Sequence, residues 1–345
     1  MVRDLLSKVL AGSSLEETEA SALMEEIMAG RVTDAQLGAM LTALKLKGET
    51  PEEIAGFALV MRRKAPVIKS IHPLLLDTCG TGGDGANTFN ISTAAALVLA
   101  GGGVKVAKHG NRSVSSRCGS ADVLEALGVK VDLGPAELSA CLDRVGIAFL
   151  YAPVLHQGMK RVAGPRRELG FRTVFNVLGP LTNPAGVTAQ VIGVYSPELV
   201  EPVARVLHRL GVQRGFVVHG AGGLDEVSPL GMTKICELRN GWLRTYTLNI
   251  EAYGMAPAAL ADLSGGGPAE NASIIRAILR GEPGPRRNAV LLNAALGFMA
   301  VDLAGSLPEG LDLAARSIDE GYAYDKLEEL VRFTGQLGGK EAVSG

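Results

Sequence analysis

At 345 residues, 47% of them hydrophobic and 20% charged, the chain is long enough for two domains and apolar enough for a substantial core. A net charge of −2 and an aromatic content of only 4% give no general attraction to nucleic acid and few platforms for stacking bases. Cys79, Cys118, Cys141 and Cys236 form no Cys-x-x-Cys pair, which argues against a zinc site or a redox motif and suits a reducing cytosol, so a cytoplasmic location is expected. The N-terminus opens on charged Arg3 and Asp4 and reads as amphipathic rather than as a signal peptide. The apolar run 94–103 is too short and too glycine-rich to cross a bilayer, so no membrane partner is expected.

The first part of the chain reads as helical. Residues 15–28 have helical character and end at Gly30. Thr33-Asp34-Ala35-Gln36 matches a capping box, Leu37, Met40, Leu41 and Leu44 line one face, and Gly48 stands where a C-terminal cap belongs. Thr50-Pro51-Glu52-Glu53 is a second capping box with proline at the first helical position, followed by Ile54, Phe57, Ala58 and Met61 on one face. These helices carry few catalytic side chains and read as a helical subdomain or a subunit interface.

From Ile71 the pattern changes to alternating strands and helices. Strands are expected at 74–79, 104–107, 147–151, 190–195 and 215–219, with helices between them, such as 197–210. This alternation predicts an α/β fold with a mostly parallel sheet covered by helices, and ligands then bind at the carboxyl ends of the strands. Asn240-Gly241 signals a hairpin between 234–238 and 242–248. Residues 180–186 form a turn-rich loop, and the chain from 269 onward is helical, with a core helix after Pro285-Arg286-Arg287.

The chemistry concentrates in four stretches. In the first, an apolar strand ends in Asp77-Thr78-Cys79-Gly80-Thr81-Gly82-Gly83-Asp84, and Asn90, Ser92 and Thr93 stand at the mouth of the next helix. Glycines let the backbone approach a ligand, and the free amides and dipole of a helix start favour an anion. A phosphate site is therefore expected. It is neither a Walker loop, which needs Gly-Lys-Ser/Thr, nor a dinucleotide fingerprint, whose glycine spacing is absent. In the second, the turn after the 104–107 strand is expected to gather Lys108, His109, Asn111, Arg112, Ser113, Ser115 and Ser116, and Gly119-Ser120 opens a helix beyond it. Cation, amide and hydroxyls suit a multiply charged phosphate. His109 is read as a positioning group before a general base. In the third, Asp225-Glu226 follows a strand end, and adjacent carboxylates there read as magnesium ligands completed by substrate phosphate. The fourth is Arg166-Arg167, which on spacing alone is an exposed helix face. His72, His156, His208 and His219 show no metal-ligand spacing and are read as packing or surface residues.

Taken together, residues 80–93, 108–116, Gly119-Ser120-Ala121-Asp122, 176–184 and Leu224-Asp225-Glu226 resemble the anthranilate phosphoribosyltransferase family, and the similarity runs over nearly the whole chain. The resemblance implies a small all-helical domain, residues 1–70 joined in space by a helical insertion at about 156–175, and a larger α/β catalytic domain over 71–345. It implies transfer of a phosphoribosyl group to anthranilate in tryptophan biosynthesis, with Mg²⁺ and phosphoribosyl pyrophosphate as partners and a homodimer formed through the helical domain. By motif position, Gly80, Gly83, Asp84, Thr88, Asn90, Ile91, Ser92, Thr93, Lys108, Ser116 and Ser120 hold phosphoribosyl pyrophosphate. Ser92, Asp225 and Glu226 carry the metal, while Gly80, Asn111 and Arg166 face anthranilate, with Arg166 on its carboxylate. Gln157-Gly158, Pro165 and Cys118 depart from the usual pattern, the first two beside the anthranilate channel. Two other readings are a pyrimidine nucleoside phosphorylase and a non-catalytic, nucleic-acid-binding relative of the same fold.

Overall fold

The computed structural model describes residues 1–113 and 117–337; Ser115 and Ser116 of the second stretch lie outside them. Helices α1 (Val2–Leu10), α2 (Glu17–Ala29), α3 (Asp34–Lys47) and α4 (Pro51–Lys64) form the N-terminal bundle. Both expected capping boxes form: Thr33 Oγ1 accepts from Gln36 N and Thr50 Oγ1 from Glu53 N, each at 3.3 Å. The fully buried Glu53 carboxylate also accepts from Leu15 N at 2.8 Å and from Lys47 Nζ at 2.9 Å, so its charge is compensated inside the bundle.

The α/β domain follows as β1 (Leu76–Gly80), α5 (Ile91–Gly101), β2 (Val106–Gly110), α6 (Ser120–Ala126), α7 (Pro135–Arg144) and β3 (Ile147–Tyr151). An irregular helical stretch, α8 (Ala152–Leu155), α9 (Lys160–Leu169) and α10 (Phe175–Leu178), then precedes β4 (Ala189–Gly193), α11 (Val200–Arg209), β5 (Arg214–Gly220), β6 (Thr233–Arg239) and β7 (Trp242–Leu248). Four helices close the described chain: α12 (Pro268–Leu279), α13 (Pro285–Ala300), α14 (Leu307–Asp319) and α15 (Tyr322–Leu337). The seven strands lie in the order β3-β2-β1-β4-β5-β6-β7. The first five are parallel, and β5, β6 and β7 pair antiparallel, with the expected hairpin at Asn240-Gly241. Strand order reverses at β1, whose neighbours are β2 and β4, which places the topological switch point at the carboxyl ends of β1 and β4.

Alternating strand residues feed two cores. Val191, Phe216 and Val218 join the core under α5, α13 and the C-terminal helices. Ile192, Val194 and Val217 face the other way and share a core with α11 and the N-terminal bundle. The helical domain therefore docks on one face of the sheet. Arg62 of α4 fixes the junction by donating to Leu181 O at 2.7 Å and Leu210 O at 3.0 Å, while α9 lies against α2 and α3.

Candidate active site

The cleft is built at the switch point. Gly80 and Gly193 are register partners at the ends of β1 and β4. Asp225 lies directly over both, so that a Cβ on either glycine would collide with it. The glycine turn then folds back on this residue: Gly82 N donates to Asp225 Oδ2 at 2.7 Å. Gly82 and Gly83 adopt φ of 68° and 75°, a region that suits glycine and aims successive amides to one side. Thr81 is tied to β4 at both ends, its N donating to Gly193 O at 2.9 Å and its Oγ1 accepting from Tyr195 N at 3.1 Å. Asp84 caps the turn by accepting from Ala86 N at 3.0 Å.

Helix α5 opens at this turn. Asn90 links it to the second stretch, donating to Cys118 O at 3.1 Å and accepting from Asn271 Nδ2 at 2.9 Å. Thr88 bridges Ser264. Ile91 is core. Ser92 N donates to Glu226 Oε1 at 3.1 Å, and Ser92 Oγ accepts from Lys108 Nζ at 3.3 Å. The buried Thr93 Oγ1 has no hydrogen-bond partner among the described residues.

The second stretch differs from its sequence reading. Strand β2 runs three residues further than expected, so Lys108 and His109 are strand residues pointing to opposite faces rather than members of one turn. Lys108 is buried with its Nζ on Thr78 O at 2.6 Å, and burial pushes its pKa down against the pull of Asp77. His109 faces the other way. Its Nδ1 lies 3.2 Å from Gly179 O, which fixes the proton there, and its buried Nε2 has no partner among the described residues. His156 packs edge to face on it with ring centroids 5.1 Å apart. Burial pushes His109 down to about 3, with His156 contributing, and His156 down to about 4. Asn111 sits at the strand end, its carbonyl accepting from Ser120 Oγ at 3.2 Å and its Oδ1 from Arg112 N at 2.7 Å. Arg112 is not a free phosphate ligand: it pairs with Asp122 at 2.9 Å and Glu125 at 2.6 Å and bonds Tyr151 Oη at 3.1 Å.

Asp225 and Glu226 arrive from the turn after β5. Burial, and then Asp84, push Asp225 up to about 7; Glu226 is raised well above the usual carboxylate range by burial and by Asp225. Asp84, Asp225 and Glu226 thus crowd one site, with Lys108 close enough to oppose the rise of Glu226. Among the described residues, no group of three or more His, Cys, Asp or Glu forms a ready-made cage.

Arg166, on α9, is half-buried, lies 5.2 Å from the Phe175 ring centroid, and makes no hydrogen bond or ion pair among the described residues. These contacts join Gly82 to Asp225 and Ser92 to Glu226 and Lys108, while Arg166 stands apart on the insertion. Sequence reasoning missed Gly193, whose only signal is its register opposite Gly80, and Asn271, which orients Asn90. It also missed Asp77, fully buried, which accepts from His109 N at 3.1 Å and Gln190 Nε2 at 3.3 Å. Arg172, which reaches the Gly83 carbonyl, had no local signal either.

Comparison with known proteins agrees with this architecture. The family model described as the glycosyl transferase family a/b domain matches residues 72–324, and that of its helical bundle domain matches residues 3–65. An anthranilate phosphoribosyltransferase of Pelotomaculum thermopropionicum is 60% identical over 342 residues, covering 99% of each chain. That of Moorella thermoacetica is 58% identical over 331 residues, 96% of this chain and 98% of its own. The crystal structure of the Thermus thermophilus enzyme superposes with a TM-score of 0.91 at 48% identity, covering 96% of this chain and 99% of that one. The Saccharomyces cerevisiae enzyme in complex with phosphoribosyl pyrophosphate and magnesium gives 0.88 at 31% identity, covering 97% and 98%.

Proposed function

The chain belongs to the anthranilate phosphoribosyltransferases, and from that premise we propose how its cleft carries out their reaction. The amine of anthranilate attacks the anomeric carbon of phosphoribosyl pyrophosphate, pyrophosphate leaves, and N-(5-phosphoribosyl)anthranilate forms, the second step of tryptophan biosynthesis. The observation that carries the reading is the closure of the glycine turn on Asp225 at the switch point, with Glu226 on the first amides of α5.

The turn amides, Gly80, Gly83, Asp84, Thr88 and the α5 mouth from Asn90 to Thr93 receive the phosphoribosyl pyrophosphate, with Ser120 beyond them. Asp225, Glu226 and Ser92 would hold Mg²⁺, whose contribution is to neutralise charge on the departing pyrophosphate. Lys108, fixed on Thr78 O and Ser92, adds a positive charge beside that group, an electrostatic contribution already in place before reaction. Arg166, a half-buried guanidinium with no carboxylate partner among the described residues, takes that of anthranilate. Asn111 and the Gly80 backbone border the same ring. His109 stays neutral at physiological pH and offers Nε2 as a hydrogen-bond acceptor, so it positions rather than carries a proton. Anthranilate's amine is a weak base that sheds its proton readily once bonded, and holding it in line with the anomeric carbon supplies much of the acceleration.

A homodimer through the helical domain belongs to the same reading; Leu10 and Leu46 are exposed apolar residues on α1 and α3. A cytoplasmic location is supported by the four free cysteines. No helix among the described residues is long and apolar enough to cross a membrane.

The test is the loss of anthranilate fluorescence on mixing purified protein, phosphoribosyl pyrophosphate and Mg²⁺. Loss that requires all three is expected. No loss, with thymidine or uridine cleaved by phosphate instead, would overturn the reading.

A further inference from the structure

Arg172 is an exposed arginine that makes no ion pair among the described residues. Its guanidinium donates to the Gly83 carbonyl and lies over the Tyr195 ring, 4.4 Å from the centroid. A guanidinium committed to a backbone carbonyl and an aromatic face serves geometry rather than charge balance. Both partners belong to the phosphate side of the cleft: Gly83 is part of the glycine turn, and Tyr195 N holds Thr81 Oγ1 of the same turn.

The segment that delivers Arg172 belongs to the other side. Helix α9 carries Arg166 and stops at Gly170, whose φ of 66° reverses the chain. Arg172 follows at once. Thr173 N then caps onto Asn176 Oδ1 at 3.0 Å, starting α10, and Phe175 returns to stack under Arg166. Residues 166–176 thus form one closed unit with Arg166 on one end of its contacts and the Gly83 carbonyl on the other. Arg172 thereby contacts the turn whose Gly82 and Gly83 adopt φ of 68° and 75°.

We propose that Arg172 is a positioning residue that couples the two substrates: a carboxylate held by Arg166 fixes the 166–176 unit, Arg172 then holds the glycine turn in its phosphate-binding form, and each ligand tightens the other. This rests on the assignment of phosphoribosyl pyrophosphate to the turn and of the aromatic carboxylate to Arg166. Coupling of this kind is reciprocal by linkage.

The experiment is calorimetric titration of the intact protein with phosphoribosyl pyrophosphate and Mg²⁺, alone and with saturating benzoate, which keeps the aromatic carboxylate but has no amine to react. Benzoate is expected to tighten the pyrophosphate substrate by about fivefold or more. In Arg172→Ala each ligand alone should bind within about threefold of the parent, with the mutual effect reduced to about onefold. Arg172→Lys, which can reach the carbonyl but cannot lay a flat face on Tyr195, should keep only part of the effect. Full coupling retained in Arg172→Ala, or no coupling in the parent when both ligands bind, would overturn the proposal. Loss of phosphoribosyl pyrophosphate affinity in Arg172→Ala with the coupling ratio intact would overturn it as well, leaving Arg172 a simple prop of the turn. Failure of the parent to bind either ligand would overturn the underlying site assignment, a different result from binding without coupling.

Discussion

On one side of the cleft Asp84, Asp225 and Glu226 crowd together; on the other His109 and His156 stack edge to face. Burial acts on both sides in the same physical way, by disfavouring charge, yet the consequences are opposite. Asp225 and Glu226 are pushed up, Asp225 to about 7, and the histidines are pushed down, to about 3 and about 4. The acidic side is surrounded by Gly82 N, Ser92 N and Lys108, groups that favour an ionised ligand set. On the histidine side the Gly179 carbonyl holds His109 Nδ1, and His109 Nε2 has no partner among the described residues. On the proposed assignment, one half takes a cation and a polyanion and the other the aromatic acid.

The largest effect should come from the acidic half. Asp225→Asn with Glu226→Gln is expected to lower kcat/KM by about 10³ and to raise the magnesium concentration needed for half-maximal rate. Steady-state rates across a magnesium titration check this, and an unchanged metal dependence would remove both residues from the metal set. Arg166→Ala should raise KM for anthranilate by about 30-fold, the loss of a charge-assisted pair, while KM for phosphoribosyl pyrophosphate moves by less than about twofold. Equal damage to both constants would mean that Arg166 does not separate the halves. His109→Gln keeps a hydrogen-bonding side chain without a titrating ring, and should cost less than about tenfold in kcat with an unaltered pH profile. Disappearance of a pH limb in that variant would make His109 a proton carrier.

The sequence made the acidic half largely legible, because strand, glycine turn and helix start are local signals and adjacent carboxylates at a strand end carry their own electrostatic argument. It misjudged the basic stretch for a physical reason. Lys108 and Arg112 look alike as charges, but β2 continues through Lys108 and buries its stem, while Arg112 is consumed by Asp122, Glu125 and Tyr151. Nothing local distinguishes an available cation from a spent one. Gly193 was illegible because its meaning lies in cross-strand register with Gly80. Arg166 was visible only through family resemblance, since a lone arginine on a helix looks like solvated surface. The glycine pair, the Arg172 contact and the histidine stack all depend on residues brought together over long separations, and the sequence pattern specifies those only through the completed fold.

The pH dependence of stability separates the halves most directly. Asp225 has a folded pKa above its unfolded value, so its contribution is fully present below about pH 4 and is lost as pH rises through about 7. The histidines are depressed, so their contribution is present above about pH 6.5 and is lost as pH falls through about 4 and about 3. The decisive measurement is the melting temperature of the protein with and without Mg²⁺ and pyrophosphate at about pH 5.5 and about pH 8, in the parent and in Asp225→Asn with Glu226→Gln. In the parent, the two ligands together should raise the melting temperature by about 3 °C more at the higher pH, where Asp225 is ionised. In the double variant that pH-dependent difference should vanish. An equal gain at both pH values in the parent, or an undiminished difference in the variant, would contradict the assignment of the carboxylates to a cation.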